Sequence, residues 1–252
     1  MKQFFTLMIL MTSCFAASSQ GLVISQVYGA GGNAGATYQA DFVELFNQTT
    51  SPISLSGYSV QYASATGTSW SKSDLPSVTL QSGQYFLLQM STAGANGIAL
   101  PTPDAIATPQ IAMSATAGKV ALVNSTTALS GTQCPPPFVA SIVDYVGHGS
   151  TANCFEGTGP TPNAASSAAS LVRASNGCTD NNDNATDFSS SIALARNTGS
   201  ALNSCGSPVP ALSAGPNITN LTTNTGVASA AVSFTLTGFN LAGFPGNINV
   251  LA

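Results

Sequence analysis

Two strand-like runs that flank a loop of small residues constrain this chain more than any other feature. In residues 22–28 (LVISQVY), side chains alternate with the period of two that is typical of a half-buried β-strand. Residues 42–46 (FVELF) repeat the pattern, with Glu44 on the face of Phe42 and Phe46. If that face is buried, Glu44 needs a hydrogen-bonding partner. The glycine-rich loop between the runs (GAGGNAG) opens no helix, so we expect a β-hairpin.

More strand-like runs follow, separated by turn residues. They lie between Pro52 and Met90, in residues 118–124 (GKVALVN) and in residues 138–147 (FVASIVDYVG). The run GKVALVN is apolar on both faces, which predicts a central strand. About seven to nine short strands in all are typical of a β-sandwich. Residues 91–112 contain three prolines and no sustained alternation, which indicates a long loop.

The region from His148 to Cys205 differs in character, because small and polar residues dominate it. We expect a disulfide-pinned excursion across one end of the sandwich rather than further sheet. Its segment AASSAASLVRA is compatible with either a helical turn or an edge strand.

Charged residues are scarce, at 6% of the chain, while Gly (24) and Pro (14) are frequent. This composition suits short strands joined by turns and an uncharged, extracellular type of surface. The formal net charge is −4, and without Lys2 the nine acidic residues face only four basic ones. Lys72, Lys119, Arg173 and Arg196 are too scattered to predict a nucleic-acid-binding patch, so we do not expect this chain alone to bind nucleic acid.

The first 19 residues have the pattern of a secretory signal peptide. Lys2 precedes an apolar run (FFTLMILM), and small residues follow, with cleavage possible after Ala16 or Ser19. An alternative is a lipoprotein signal in which Cys14 is acylated, although Met11 fits that motif poorly. Both interpretations place the protein outside the cytoplasm, either secreted or at the cell surface. No other segment is apolar for long enough to span a membrane.

Four cysteines remain after the leader, and an even number in an exported chain favours disulfides. Three pairings are possible. We favour Cys134 with Cys154 and Cys178 with Cys205, because each bridge would close a loop outside the strand framework. Zinc is disfavoured, since the spacings contain no CxxC and His148 is the single histidine.

No constellation of residues predicts catalysis. His148 in VGHGS and the preceding Asp144 could be drawn as a base and its orienting acid. However, VGHGS is not the strand-turn-helix motif that presents a nucleophile, and no further member of a triad is evident. We interpret His148 as a turn residue after an edge strand. No phosphate-binding loop or dinucleotide fingerprint is present, so we predict no cofactor and no enzymatic activity.

One loop carries oxygen ligands at a spacing that can wrap Ca²⁺. In CTDNNDNATD the candidate ligands are Asp180, Asn182, Asn184 and Asp187. The loop departs from an EF-hand, because Ala185 replaces the turn glycine and Ser191 replaces the bidentate glutamate. The alternative is a turn in which these side chains cap backbone amides.

Several blocks in order resemble the lamin-tail domain of bacterial secreted and surface proteins, which often lies beside extracellular nuclease domains. The blocks are VISQVYG, GATYQADFVELFN, PISLSGYSVQYAS, SATAGKVALVNS, VDYVGHGSTANCFEG and GCTDNNDNATDF. The resemblance extends from Leu22 to Cys205. It implies an immunoglobulin-like β-sandwich without an active site of its own, and it does not name a ligand.

These observations predict four segments: a signal peptide (1–19), a lamin-tail β-sandwich (20–205), a proline-rich linker (206–216) and the start of a second, incomplete β-sandwich (217–252). The expected function is that of a non-catalytic accessory, attachment or binding module for an unknown extracellular or cell-surface ligand. The competing hypothesis is the front part of an extracellular nuclease or phosphodiesterase whose catalytic domain lies beyond Ala252.

Overall fold

The computed structural model describes residues 21–133 and 139–205, which belong to a unit ending at Ser207. The predicted signal peptide, linker and second sandwich lie outside the described residues, as do Cys14 and Cys134. Twelve strands occur in the described ranges. They are β1 Leu22–Tyr28, β2 Phe42–Asn47, β3 Ile53–Ser54, β4 Ser59–Ser64, β5 Ser71–Asp74, β6 Thr79–Leu80, β7 Tyr85–Gln89, β8 Ala105–Ile106, β9 Gly118–Val123, β10 Ile142–His148, β11 Ala169–Arg173 and β12 Phe188–Ile192.

The strands form two large sheets and one small pair. The first sheet has the order β12-β11-β1-β2-β7-β8, the second has the order β10-β9-β4-β5, and β3 pairs with β6. Strands β1 and β2 form the predicted antiparallel hairpin, with Leu22 opposite Asn47 and Tyr28 opposite Phe42. Strand β9 lies between β4 and β10, as expected for a central strand. The all-β, immunoglobulin-like sandwich expected from the sequence is confirmed.

The main core lies between the two large sheets. The six-stranded sheet contributes Ile24, Leu45 and Phe86, and the four-stranded sheet contributes Val60 and Leu122. Each of these side chains is fully buried. Because burying one such side chain is worth about 1.5–3 kcal/mol, this layer supplies the main favourable contribution to folding.

The six-stranded sheet is also covered on its outer face. Tyr28 and Phe42 pack there with Ala193 and Ala195, which belong to residues 193–205, here called the strap. Near the C-terminal end of the strap, the Asn203 amide donates a hydrogen bond of 2.8 Å to Gly83 O. Strands β1 and β2 are therefore buried on both faces.

Glu44 points to this covered face and is completely buried. Its Oε1 accepts hydrogen bonds from Ser25 Oγ at 2.6 Å and from Arg196 Nη2 at 2.7 Å, and its Oε2 accepts one from the Arg196 amide at 2.8 Å. Arg196 also lies 3.8 Å above the ring centre of Tyr85. The partner that the sequence required for Glu44 is thus Arg196 of the strap.

The expectation that residues 148–205 add no sheet is wrong. Strands β11 and β12 extend the six-stranded sheet beyond β1, and the segment AASSAASLVRA contains β11. Strand β12 (FSSSI) lies at the sheet edge with serines partly exposed, which explains why its composition resembled a loop. These two strands and the two-residue strands bring the total above the seven to nine expected.

The predicted bridge between Cys178 and Cys205 is present. Cys154 is also disulfide-bonded, but its predicted partner, Cys134, is not among the described residues, so that pairing stays a prediction. None of the described helices is long and apolar enough to cross a membrane.

Candidate functional site

The residues predicted to bind calcium share one loop, between β11 and β12. The loop contains a 3₁₀ turn (Ser175–Gly177) and a four-residue helix, α1 (Asn184–Asp187). Asp183 caps this helix, since its Oδ1 accepts a hydrogen bond from the Ala185 amide at 3.2 Å. The loop therefore has a fixed conformation set by its own side chains.

Asn184 points away from solvent and is fully buried. Its Nδ2 donates to Tyr145 O at 2.8 Å, and its Oδ1 accepts from the amides of Gly147 at 2.8 Å and Glu156 at 3.2 Å. Both lone pairs of this oxygen are thus engaged, and the side chain joins the loop to β10.

Asp187 is also fully buried and organises the turn before the helix. Its Oδ2 accepts from the amides of Asn181 at 2.8 Å and Asp183 at 3.2 Å. Asp180 Oδ1 accepts from the Asn182 amide at 3.3 Å. Side chains that cap backbone amides in this way are typical of Asx turns, the alternative to a metal loop. Calcium binding by these four residues stays a prediction.

Beside this loop lies a buried ionic network centred on Arg173, the last residue of β11. Its Nη2 lies 2.8 and 2.7 Å from the two carboxylate oxygens of Asp144 on β10. Its Nη1 lies 3.1 Å from Asp180 Oδ1 and 3.5 Å from Asp187 Oδ2. The guanidinium carbon is 4.6 Å from the ring centre of Phe188. The Arg173 guanidinium thus forms ion pairs with three carboxylates.

Glu156 is the fourth acid near this network. Carboxylate oxygens of Asp144, Glu156 and Asp180 lie within 4.8 Å of one another, a spacing that could hold a metal ion. Burial, together with the charges of Asp144 and Asp180, raises the pKa of Glu156 to about 9. Glu156 therefore carries a proton at neutral pH, and Arg173 already supplies positive charge to the other two acids.

His148 and Asp144 do not form the acid–base pair that the sequence allowed. The oxygens of Asp144 accept hydrogen bonds from Arg173, from the Ile24 amide at 2.6 Å and from the Tyr145 amide at 2.8 Å. His148 is buried, its Nε2 has no hydrogen-bond partner among the described residues, and burial lowers its pKa to about 4. Its imidazole is neutral near pH 7.

The roles of Arg173, Asp144 and Glu156 were not predicted from the sequence. One signal could have found them: in a chain with so few cations, a basic residue at the end of an apolar run (SLVR) needs a carboxylate partner. Lys119 is equally buried and donates to Gly67 O at 2.7 Å and Asn153 Oδ1 at 3.0 Å. Most basic side chains of the described residues are therefore internal.

The strands that precede this network match a known family. Residues 16–134 match the Lamin Tail Domain family model. The resemblance inferred from the sequence is thereby confirmed over these residues. The lamin-tail match contains β1 to β9, whereas β10 pairs with β9 and β11 pairs with β1 beyond it. Both large sheets therefore include strands that follow the matched stretch, and the Arg173 network lies on those added strands.

A solved structure is also similar to this chain. It is the crystal structure of a DUF4876 family protein from Bacteroides thetaiotaomicron VPI-5482, with 12% sequence identity and a TM-score of 0.46. The similarity covers 73% of this chain and 74% of that chain. No curated protein matches the sequence.

Proposed function

We propose that this protein is a non-catalytic binding or attachment module that works outside the cell. The observation that carries the proposal is that buried charged groups of the protein form ion pairs with one another. Arg173 pairs with Asp144 at 2.7 Å and Arg196 pairs with Glu44 at 2.7 Å, and both pairs join parts of the sandwich. Charged groups engaged in this way are costly to separate and are not poised for proton transfer or nucleophilic attack.

The extracellular location rests on two features. The first 19 residues have the pattern of a secretory signal. The bridge between Cys178 and Cys205 is of a kind that forms and persists in oxidising compartments. Together they support export, either to the medium or to the cell surface.

The partner that we propose is not a nucleic acid. Lys119 and Arg173 are fully buried, and the side chain of Arg196 is only 15% exposed and paired with Glu44. Lys72 is paired with Asp74 at 2.6 Å. Nucleic-acid binding requires several cations that can contact phosphates together, and the basic residues that the structure describes do not offer such a surface.

The test is a binding assay on the full chain after the leader. Labelled protein is incubated with intact bacterial cells, isolated cell-wall polysaccharide and duplex DNA at about 0.15 M salt, the physiological level. The proposal predicts saturable retention on cells or polysaccharide and no measurable retention on DNA. Retention on DNA with a steep salt dependence, or retention on none of the three, would contradict it.

A further inference from the structure

A polar cleft lies at one end of the sandwich, away from the Arg173 network. Three loops enclose it: the β1–β2 loop with Gly31 and Asn33, the segment after β7 with Ser91 and Thr92, and the segment before β9 with Met113. Its volume is ≈ 370 Å³, near the lower end of the ~300–1,000 Å³ typical of small-molecule sites. The space therefore suits a ligand of about one ring.

Glycines let the loops approach one another backbone to backbone. A Cβ on Gly32 would lie 2.6 Å from the Cα of Gly94, and a Cβ on Gly31 would clash with the Asp41 amide nitrogen. Hydrogen bonds from the Gly94 amide to Gln39 O at 2.7 Å and from Asn96 Nδ2 to Gly32 O at 2.9 Å hold this arrangement. The cleft is therefore built before any ligand arrives, which reduces the entropy cost of binding.

Asp41 contributes a carboxylate to the cleft. Its side chain accepts hydrogen bonds from two of the three loops, from the Gly31 amide to Oδ1 at 2.8 Å and from the Met113 amide to Oδ2 at 2.8 Å. The Asp41 amide in turn donates to Ser91 Oγ at 2.8 Å. A carboxylate accepts about four hydrogen bonds in all, so Asp41 retains capacity to accept from a ligand.

The other residues that line the cleft indicate which class of ligand it can bind. Asn33 and Thr92 are exposed and provide groups that both donate and accept hydrogen bonds, whereas the buried Ser91 hydroxyl already donates to Thr92 O at 3.1 Å. None of the residues that line the cleft is basic or aromatic. An anion would be repelled by Asp41 and would find no cation. A flat apolar ring would find no stacking partner. A ligand with several hydroxyl groups can donate to Asp41 and exchange hydrogen bonds with Asn33 and Thr92.

We propose that this cleft binds one neutral sugar unit, through hydroxyl groups that donate to the Asp41 carboxylate and bond to Asn33 and Thr92. The proposal rests on the binding function proposed above and names its ligand class. Since contact is by hydrogen bonds without aromatic stacking, the affinity for a monosaccharide is weak, with a Kd on the order of 1 mM.

The experiment titrates the full chain after the leader with a panel of neutral monosaccharides and with two primary amines of similar size. Binding is followed by saturation-transfer NMR and calorimetry. The variants are Asn33→Ala and Thr92→Val, which remove exposed polar groups while the backbone hydrogen bonds of both residues remain, and Asp41→Asn. The matched control is Thr151→Val in a second cavity of ≈ 310 Å³ that has no ionisable lining residue.

At least one neutral sugar is expected to bind, with affinity reduced about three- to tenfold by Asn33→Ala or Thr92→Val, since one hydrogen bond is worth about 0.5–1.5 kcal/mol. Asp41→Asn is expected to weaken binding more than tenfold, and Thr151→Val to leave it unchanged. Failure of every sugar to bind, preference for an amine, or sugar affinity unaffected by Asn33→Ala and Thr92→Val would overturn the proposal.

This experiment also separates the two proposals. If the wild-type chain is retained on cells or polysaccharide and the cleft variants are retained equally, the cleft proposal fails and the binding function stands. If the wild-type chain is retained on nothing, the proposed function itself fails.

Discussion

Arg173 and Asp144 form a buried ion pair that joins the two large sheets of the sandwich, because Arg173 ends β11 and Asp144 lies on β10. Both residues also bond the backbone of Ile24 on β1. Asp144 Oδ2 accepts from the Ile24 amide at 2.6 Å, and Arg173 Nε donates to the Ile24 carbonyl at 2.9 Å. Side chains thus replace the ladder hydrogen bonds at a point where β11 no longer pairs with β1.

Replacing Arg173 by methionine should destabilise the protein strongly. The substitution keeps an apolar stem but leaves Asp144, Asp180 and Asp187 without their shared cation. Breaking a buried pair in this way costs about 3–5 kcal/mol. Urea unfolding followed by the fluorescence of Trp70, the single tryptophan, measures the change in the free energy of unfolding. Lys72→Met, which breaks an exposed pair, is the control and should cost less than about 1 kcal/mol. Equal effects of the two substitutions would show that the network is not structural.

Arg196→Ala should release the strap. It leaves Glu44 buried without its cation and removes the contact with the Tyr85 ring, at a cost of about 3 kcal/mol or more. The double variant Glu44→Gln with Arg196→Ala removes the uncompensated charge and should recover part of this loss. A double-mutant cycle measures the coupling. If the two effects simply add, the pair does not hold the strap to the sheet.

Glu156 should make stability fall as pH rises. Its pKa is about 9 in the folded protein, against the ordinary value of 4.5 for an exposed glutamate, so the folded state binds the additional proton between these values. Its stabilising contribution is complete below about pH 4.5 and is lost as pH rises towards 9. Over this range the free energy of unfolding falls by up to about 1.4 kcal/mol per pH unit.

The measurement is the free energy of unfolding at several pH values between 5 and 9, for the wild type and for Glu156→Gln. The neutral variant should show a flatter profile and should exceed the wild type most at the alkaline end. Parallel profiles would mean that Glu156 is ionised in the folded protein.

Removing the bridge between Cys178 and Cys205 should loosen the strap before the rest of the sandwich. The bridge closes a loop with a sequence separation of 27, for which the chain-entropy model gives about 3.5 kcal/mol. In the Cys178→Ala, Cys205→Ala double variant, hydrogen exchange should accelerate first in residues 193–205, while β9 retains its protection. Uniform acceleration across both sheets would contradict this order.

Features that depend on neighbouring residues could be predicted from the sequence, whereas contacts between distant residues could not. The β1–β2 hairpin and the need of Glu44 for a partner are local consequences of a period of two, and both are present in the structure. The partner itself, Arg196, lies 152 residues away, and no local pattern contains it.

Strand β12 was not predicted for a related reason, whereas for the segment of β11 a strand was one of two alternatives. The serines of β12 suit a sheet edge, so hydrophobic alternation is weak there. The Asp41 cleft likewise depends on contacts among three loops that are distant in the sequence. The sequence shows the glycines of GAGGNAG that permit the close approach of these loops, but it does not show their contacts with Gly94.

An activity assay on the full chain after the leader tests whether the protein is a non-catalytic module. The substrates are DNA, RNA, bis-p-nitrophenyl phosphate and simple esters, each with Mg²⁺, Ca²⁺ or Zn²⁺ added. Because His148 is buried and neutral and Asp144 is paired with Arg173, we expect no turnover above the blank. Turnover by the wild type that is abolished in a folded His148→Ala or Glu156→Gln variant would contradict the proposed function.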